Sequence, residues 1–221
     1  MPRTALIAGA TGLTGQQLLK QLLADARYTE VHVLVRRHVF APHTKLIEHI
    51  VDLAALPNLP TLPKSVDDAF CCLGTTIKIA GSKAAFRIVD FDYVVNVARA
   101  AKKSGVQRFM VMSSLGANAR SSVFYSQVKG EMEEALREIG FAELHIFQPS
   151  FLLGNRAESR PGERVGIAAF QLISPLLFGP ARKYRAIEVT DVARAMVRAA
   201  CLQRSGAHVY LSDEIQKMAE S

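Results

Sequence analysis

Of the 221 residues, the stretch Gly9-Ala10-Thr11-Gly12-Leu13-Thr14-Gly15 most constrains the fold. It follows a short apolar run, Ala5 to Ala8, and leads into Gln16 to Ala24, where Leu18, Leu19, Leu22 and Leu23 share one helical face. A strand must turn sharply into a helix here. Glycines at such a turn permit a tight reversal, close approach of backbone to a ligand and close packing of helix on strand. The helix start adds free N–H groups and the positive end of the helix dipole, which suit the pyrophosphate of a dinucleotide. The first spacing is one residue longer than Gly-x-Gly-x-x-Gly, but the strand, turn and helix around it are the context that such a loop requires.

The alternation continues along the chain. Val31 to Val35, Leu46 to Val51, Ala69 to Leu73, Phe109 to Met112 and Leu144 to Phe147 read as further strands. A long amphipathic helix is expected from Ser82, a candidate N-cap, to Ser104, with Gly105 as its stop. Another is expected from about Ser122 to Ile139, then a last helix from Asp191 to Leu202 and a strand near His208 to Leu211. Parallel strands need crossover connections, so this order predicts an α/β, doubly wound parallel sheet of the Rossmann type. No repeat or linker divides the chain, and one domain over 1–221 is expected. Residues 150–188 show no clean period; they are expected to form a small irregular C-terminal lobe facing the substrate.

Composition narrows the function classes. With 49% hydrophobic and 21% charged residues the chain is globular rather than disordered. The longest apolar stretch, Ile167 to Phe178, is broken by Gln171, Ser174 and Pro175 and is far short of the roughly 20 residues that span a bilayer. No signal-peptide core precedes the first strand, so a cytoplasmic protein is expected, with no membrane partner. Cys71 and Cys72 are adjacent and Cys201 is alone, a pattern with neither disulfide nor metal-ligand spacing. The net charge of +7 comes from scattered residues without a nucleic-acid recognition motif, so a small polyanionic ligand explains it better than nucleic acid does.

The end of the second strand selects the dinucleotide. A carboxylate about 20 residues beyond the glycine loop would bind the ribose 2′-hydroxyl of NAD, whereas arginine accommodates the 2′-phosphate of NADP. Arg36 and Arg37 stand at that place and no carboxylate follows before Glu48, so NADP(H) is the expected cofactor. Leu73-Gly74-Thr75, at the end of the fourth strand, would form a cofactor wall, with Gly74 allowing close backbone approach. The fifth strand ends in Ser113-Ser114, and Tyr125 and Lys129 lie four apart at the start of the next helix, on one face. A phenol ionises near pH 10, so proton exchange near neutrality needs roughly 4 kcal/mol of help. An ammonium about 4 Å away supplies about that much in a partly dry cleft. Tyr125 is thus the expected acid or base, Lys129 the ribose-holding cation, and Ser113 or Ser114 the hydrogen-bond donor to a carbonyl oxygen.

Together with the glycine loop and the double arginine, Cys71-Cys72-Leu73-Gly74-Thr75-Thr76, Ser113-Ser114 with Gly116, Tyr125 to Glu131 and Glu158-Ser159-Arg160-Pro161-Gly162-Glu163 resemble the Tat-interacting oxidoreductase family, an atypical branch of the short-chain dehydrogenases/reductases. The resemblance covers about residues 4 to 210. It implies a Rossmann fold binding NADPH, with contacts from Thr11, Gly12, Leu13 and Thr14 to the pyrophosphate, Arg36 and Arg37 to the adenosine phosphate, and Leu73 and Gly74 to the ribose. It also implies Tyr125 and Lys129 as the catalytic pair, and Leu152 and Arg160 as contacts from the C-terminal lobe.

Two functions follow. The first is an NADPH-dependent oxidoreductase acting on a small carbonyl or alcohol, which the intact Ser, Tyr and Lys set favours. The second is an NADPH-sensing binding protein with little turnover, since no residue pattern defines a substrate. A protein partner or a homodimer is compatible with the chain, but no residue pattern points to either.

Overall fold

The computed structural model describes residues 2–55, 66–154 and 179–221. Among these, β1 (Arg3–Ala8), β2 (Tyr28–Val35), β3 (Leu46–Ile50), β4 (Asp68–Cys71), β5 (Arg108–Met112), β6 (Glu143–Gln148) and β9 (Gly206–Leu211) form a seven-stranded sheet in the order β3-β2-β1-β4-β5-β6-β9. Every pairing is parallel. The chain runs outward from β1 to β3 and then returns to β4, so a crevice opens at the carboxyl ends of β1 and β4.

Helices cover both faces, and the strands show why. In β1, Ala5 and Ile7 join one buried cluster while Leu6 and Ala8 join the other. In β5, Met110 and Met112 face the first cluster and Phe109 and Val111 the second. A sheet buried on two sides needs such near-continuous apolar runs, with neighbours pointing to opposite faces. Leu18 and Leu22 of α1 (Leu13–Ala24), Val192 and Met196 of α6 (Val189–Ala199) and Ile215 of α7 (Ser212–Glu220) fill the first face. Val94, Val97 and Ala101 of α4 (Tyr93–Lys103) and Met132 and Leu136 of α5 (Phe124–Ile139) fill the second.

The long helix expected from Ser82 is present in three joined pieces, α3 (Lys83–Arg87), a π-helical segment (Ile88–Asp92) and α4. Ser82 caps it, its hydroxyl accepting from the Ala85 N–H at 3.0 Å, and Gly105 follows its end with φ +90°. The next helix starts at Phe124, two residues later than expected, and stops at Gly140 with φ +72°. Two helices escaped the sequence reading. The four-residue α2 (Ile77–Ala80) is capped by the Thr76 side chain. The C-terminal α7 carries Asp213 and Glu214 in its first turn, and Glu214 accepts from the Leu211 N–H at 3.0 Å.

Within 150–188, the described parts are ordered by pairing. β7 (Leu152–Leu153) runs parallel to β8 (Ile187–Glu188), and a 3₁₀ turn spans Gly179–Tyr184. A Cβ on Gly154 would lie 2.9 Å from Val189 Cγ2 and 3.8 Å from Leu13 Cδ2, which sets the start of this lobe across the beginning of α1.

Candidate cofactor cleft and active site

The β1–α1 turn is built by glycines that nothing larger could replace. Gly9 has φ +83°, and a Cβ there would meet the Cys72 carbonyl carbon at 2.7 Å, so this turn packs directly on the end of β4. A Cβ on Gly15 would lie 2.0 Å from the Gly9 oxygen, which shows how tightly the helix start abuts the loop. The Gly12 N–H donates to the Gly9 oxygen at 3.1 Å and closes the turn. Gly12 caps α1 without a side chain, and the first helical turn holds no acid, so its dipole end is left for an anion.

A cavity of about 810 Å³ opens at this point. Gly9, Thr11 and Gly12 line one side, Val35, Arg36 and Arg37 another, and Cys72, Leu73, Gly74 and Thr75 a third. Leu13, Thr14 and Gly15 form the first turn of α1 and are not among its walls. Arg36 and Arg37 follow the last residue of β2, are exposed, and make no ion pair among the described residues. An uncapped helix end, a glycine cradle and two guanidinium groups without an ion pair among the described residues fit the phosphates of a dinucleotide. No cluster of acids, histidines and cysteines among the described residues could hold a metal ion.

The second half of the site lies where β4, the π-helical segment and α5 meet. Lys129 is only 3% exposed, and its ammonium lies 2.7 Å from Oδ1 of the fully buried Asp90. The other oxygen of Asp90 accepts from the Thr75 N–H at 2.8 Å. A Cβ on Gly74 would lie 3.4 Å from Asp90 Oδ1 and 3.7 Å from Lys129 Nζ, so the ion pair stands directly beside the cofactor wall. Burial works to strip the Lys129 proton, but Asp90 and Tyr125 more than reverse it and hold the ammonium above the ordinary lysine range. Tyr125 is half-buried on the same helix, with its ring 5.2 Å from that of Phe86. The helix can approach so closely because residue 130 is glycine: a Cβ there would meet the Ala119 nitrogen at 2.1 Å.

The two serines differ. The Ser113 hydroxyl donates to Oε1 of the buried Glu133 at 2.5 Å, an oxygen that also accepts from Gln148 Nε2 at 2.8 Å. The Ser114 hydroxyl is buried and has no partner among the described residues. Leu152 is half-buried in β7 and packs against the core cluster rather than lining the cavity. Arg160 lies outside the described residues. Both cysteines at the end of β4 are held as thiols by burial, Cys71 with a pKa pushed up to about 12 and Cys72 raised likewise.

Asp90 was not found from the sequence. The signal for it is an acid on the inner face of an amphipathic helix, in register with Phe86, Val94, Val97 and Ala101. Its partner is on a different helix, and no local pattern joins the two.

The profile of a family described as NAD(P)H-binding matches residues 9–201. The chain is 37% identical over 198 residues to Protein HTATIP2 of Rattus norvegicus, covering 88% of this chain and 80% of the relative. It is 34% identical over 204 residues to Protein FMP52, mitochondrial, of Debaryomyces hansenii, covering 89% and 87%. Several further fungal relatives are also named as mitochondrial proteins, which overturns the cytoplasmic expectation. Free thiols do not single out one reducing compartment. Among the described residues no helix is long and apolar enough to cross a membrane.

Solved structures share the fold. MoeE5, in complex with UDP-glucose and NAD, superposes with a TM-score of 0.68 at 19% identity, covering 98% of this chain and 80% of that one. The human epimerase family protein SDR39U1 with NADPH gives 0.64 at 19%, covering 94% and 74%. From the family match, the relatives and the parallel sheet together, the chain belongs to the NAD(P)H-binding, Rossmann-fold proteins of the HTATIP2-like branch of atypical short-chain dehydrogenases/reductases.

Proposed function

We propose that the protein is an NADPH-dependent oxidoreductase that interconverts a small carbonyl compound and its alcohol. The observation that carries this reading is the buried Asp90–Lys129 pair beside Gly74, a residue in the wall of a cleft whose far side presents Arg36 and Arg37, with Tyr125 one helical turn before Lys129. Arg36 and Arg37 would hold the 2′-phosphate, a charge-assisted contact that NADH cannot make. The backbone of Thr11, Gly12, Leu13 and Thr14 would bind the pyrophosphate at the helix start. Leu73, Gly74 and Thr75 would flank the ribose.

NADPH, when bound, supplies the hydride that reduces a carbonyl carbon. Tyr125 gives its phenolic proton to the carbonyl oxygen as that oxygen gains charge, and recovers the proton from solvent afterwards. Lys129 holds the nicotinamide ribose and steadies the phenolate by its charge. Ser114, whose hydroxyl has no partner among the described residues, is better suited than Ser113 to hydrogen-bond the substrate oxygen, because Ser113 is committed to Glu133. In the alcohol-to-carbonyl direction the same groups act in reverse.

The test is binding of NADPH against NADH, followed by turnover on a panel of aldehydes, ketones and alcohols. Tyr125→Phe should lower turnover about 10²- to 10⁴-fold and leave NADPH affinity unchanged. Tight NADPH binding with no turnover on any substrate would favour the cofactor-sensing function instead.

A further inference from the structure

We infer that Asp90 is a positioning residue of this site: it keeps Lys129 charged and fixed at the cofactor wall beside Tyr125. The inference rests on Lys129 being the cofactor-side lysine of the proposed reaction. One oxygen of Asp90 forms an ion pair with the Lys129 ammonium at 2.7 Å, a contact of charge without hydrogen-bond geometry, and the other accepts from the Thr75 N–H at 2.8 Å. The carboxylate therefore cannot rotate without losing one of them, and the ammonium is tied through it to the backbone of the cofactor wall. Asp90 sits in the π-helical segment, where an extra residue is accommodated inside the long helix; such insertions redirect side chains and occur often at functional sites.

The other groups facing Lys129 cannot replace Asp90. Among the described residues they are the Tyr125 phenol on the same helix and the Cys71 thiol of β4; each helps to hold the Lys129 proton only once it is itself an anion, and burial keeps Cys71 a thiol. With Asp90 removed, an ammonium that is 3% exposed would have no counter-charge in contact, and burial would drive off its proton. A neutral Lys129 would give no electrostatic help to a phenolate and would be free to turn away from the ribose.

The experiment is an NMR titration of the full-length chain carrying lysine labelled with ¹³C at Cε, without cofactor, from about pH 6 to about pH 11. The Lys129 signal is the one that Lys129→Met removes. In the parent it should titrate above the exposed lysines. In Asp90→Asn, which keeps the shape and an acceptor for Thr75, its midpoint should fall by about 3 pH units. Asp90→Glu should restore part of that fall. A parent Lys129 that titrates below the exposed lysines overturns the proposal, and this result needs no variant of Asp90 to fold. An Asp90→Asn titration that superimposes on the parent also overturns it. NADPH titration of Lys129→Met separates the two readings, because unchanged affinity would remove Lys129 from the cofactor site whatever its titration shows.

Discussion

At the amino edge of the sheet, Asp68 is fully buried and accepts from Arg3 at 2.5 Å, Arg108 Nε at 2.6 Å and the Tyr28 hydroxyl at 2.7 Å. At the carboxyl edge, Arg36, Arg37 and the buried Ser114 hydroxyl find no protein partner among the described residues. The same sheet thus ends at one edge in a carboxylate whose oxygens are all engaged, although Arg3 Nε beside it has no partner among the described residues, and at the other in polar groups left open. Burial pushes the Asp68 carboxyl up against the pull of Arg108, Arg3 and Tyr28, so its ion pairs offset a desolvation cost rather than add a free gain. The difference teaches where a ligand belongs. Buried polar groups are mostly paired, so an unpartnered one beside a cavity marks a place to look for a ligand. The Asp90–Lys129 pair falls between the two, being internally matched yet set in the open edge.

That comparison can be broken from either side. The largest effect should come from Asp68→Ala, which leaves Arg3, Arg108 and Tyr28 around an empty site. It should cost about 3–5 kcal/mol of stability in urea unfolding and leave NADPH affinity unchanged in the folded fraction. A loss of affinity without a loss of stability would merge the two edges into one functional unit.

A second effect is read in pH. His145 of β6 is fully buried, and burial first, then the positive charges of His208, Arg204 and Arg108, lower its pKa to about 4. Its Nδ1 pairs with the Tyr210 hydroxyl at 2.9 Å. Because the folded value lies below the unfolded one near 6.5, the unfolded chain binds the extra proton. Stability from this group is therefore complete above about pH 6.5 and is lost as pH falls toward about 4, amounting to about 3 kcal/mol. Acid unfolding of His145→Gln should show a flatter slope across that window, and an unchanged slope would mean that His145 is not the group that takes up the proton there.

The smallest change in stability is expected at the open edge. Arg36→Ala should leave the urea midpoint where it is, weaken NADPH binding about 10- to 100-fold and leave NADH binding alone. Isothermal titration with both cofactors checks this. Equal losses for NADPH and NADH would mean that Arg36 does not read the 2′-phosphate.

Much of this arrangement is legible in the chain. The strand before Gly9, the leucine face after Gly15 and the cap at Ser82 are local signals, set by residues within one or two turns of each other, and the structure keeps all three. Helix α7 was missed although Ser212, Asp213 and Glu214 form an N-terminal signature, because its apolar face of Ile215 and Ala219 is short. The compartment was misjudged because composition reports solvent and redox conditions rather than address.

The sequence by itself determined the strand–helix alternation of a doubly wound parallel sheet, the glycine turn at the first strand and the basic pair at the end of the second, since each depends on local pattern and spacing. Only the tertiary structure decided that Lys129 is buried against Asp90, that Ser113 is spent on Glu133 and that Ser114 finds no partner among the described residues. Those facts depend on which side chains meet across the packed faces of separate helices and strands, and on burial, which turns an ordinary lysine into one that needs a counter-charge.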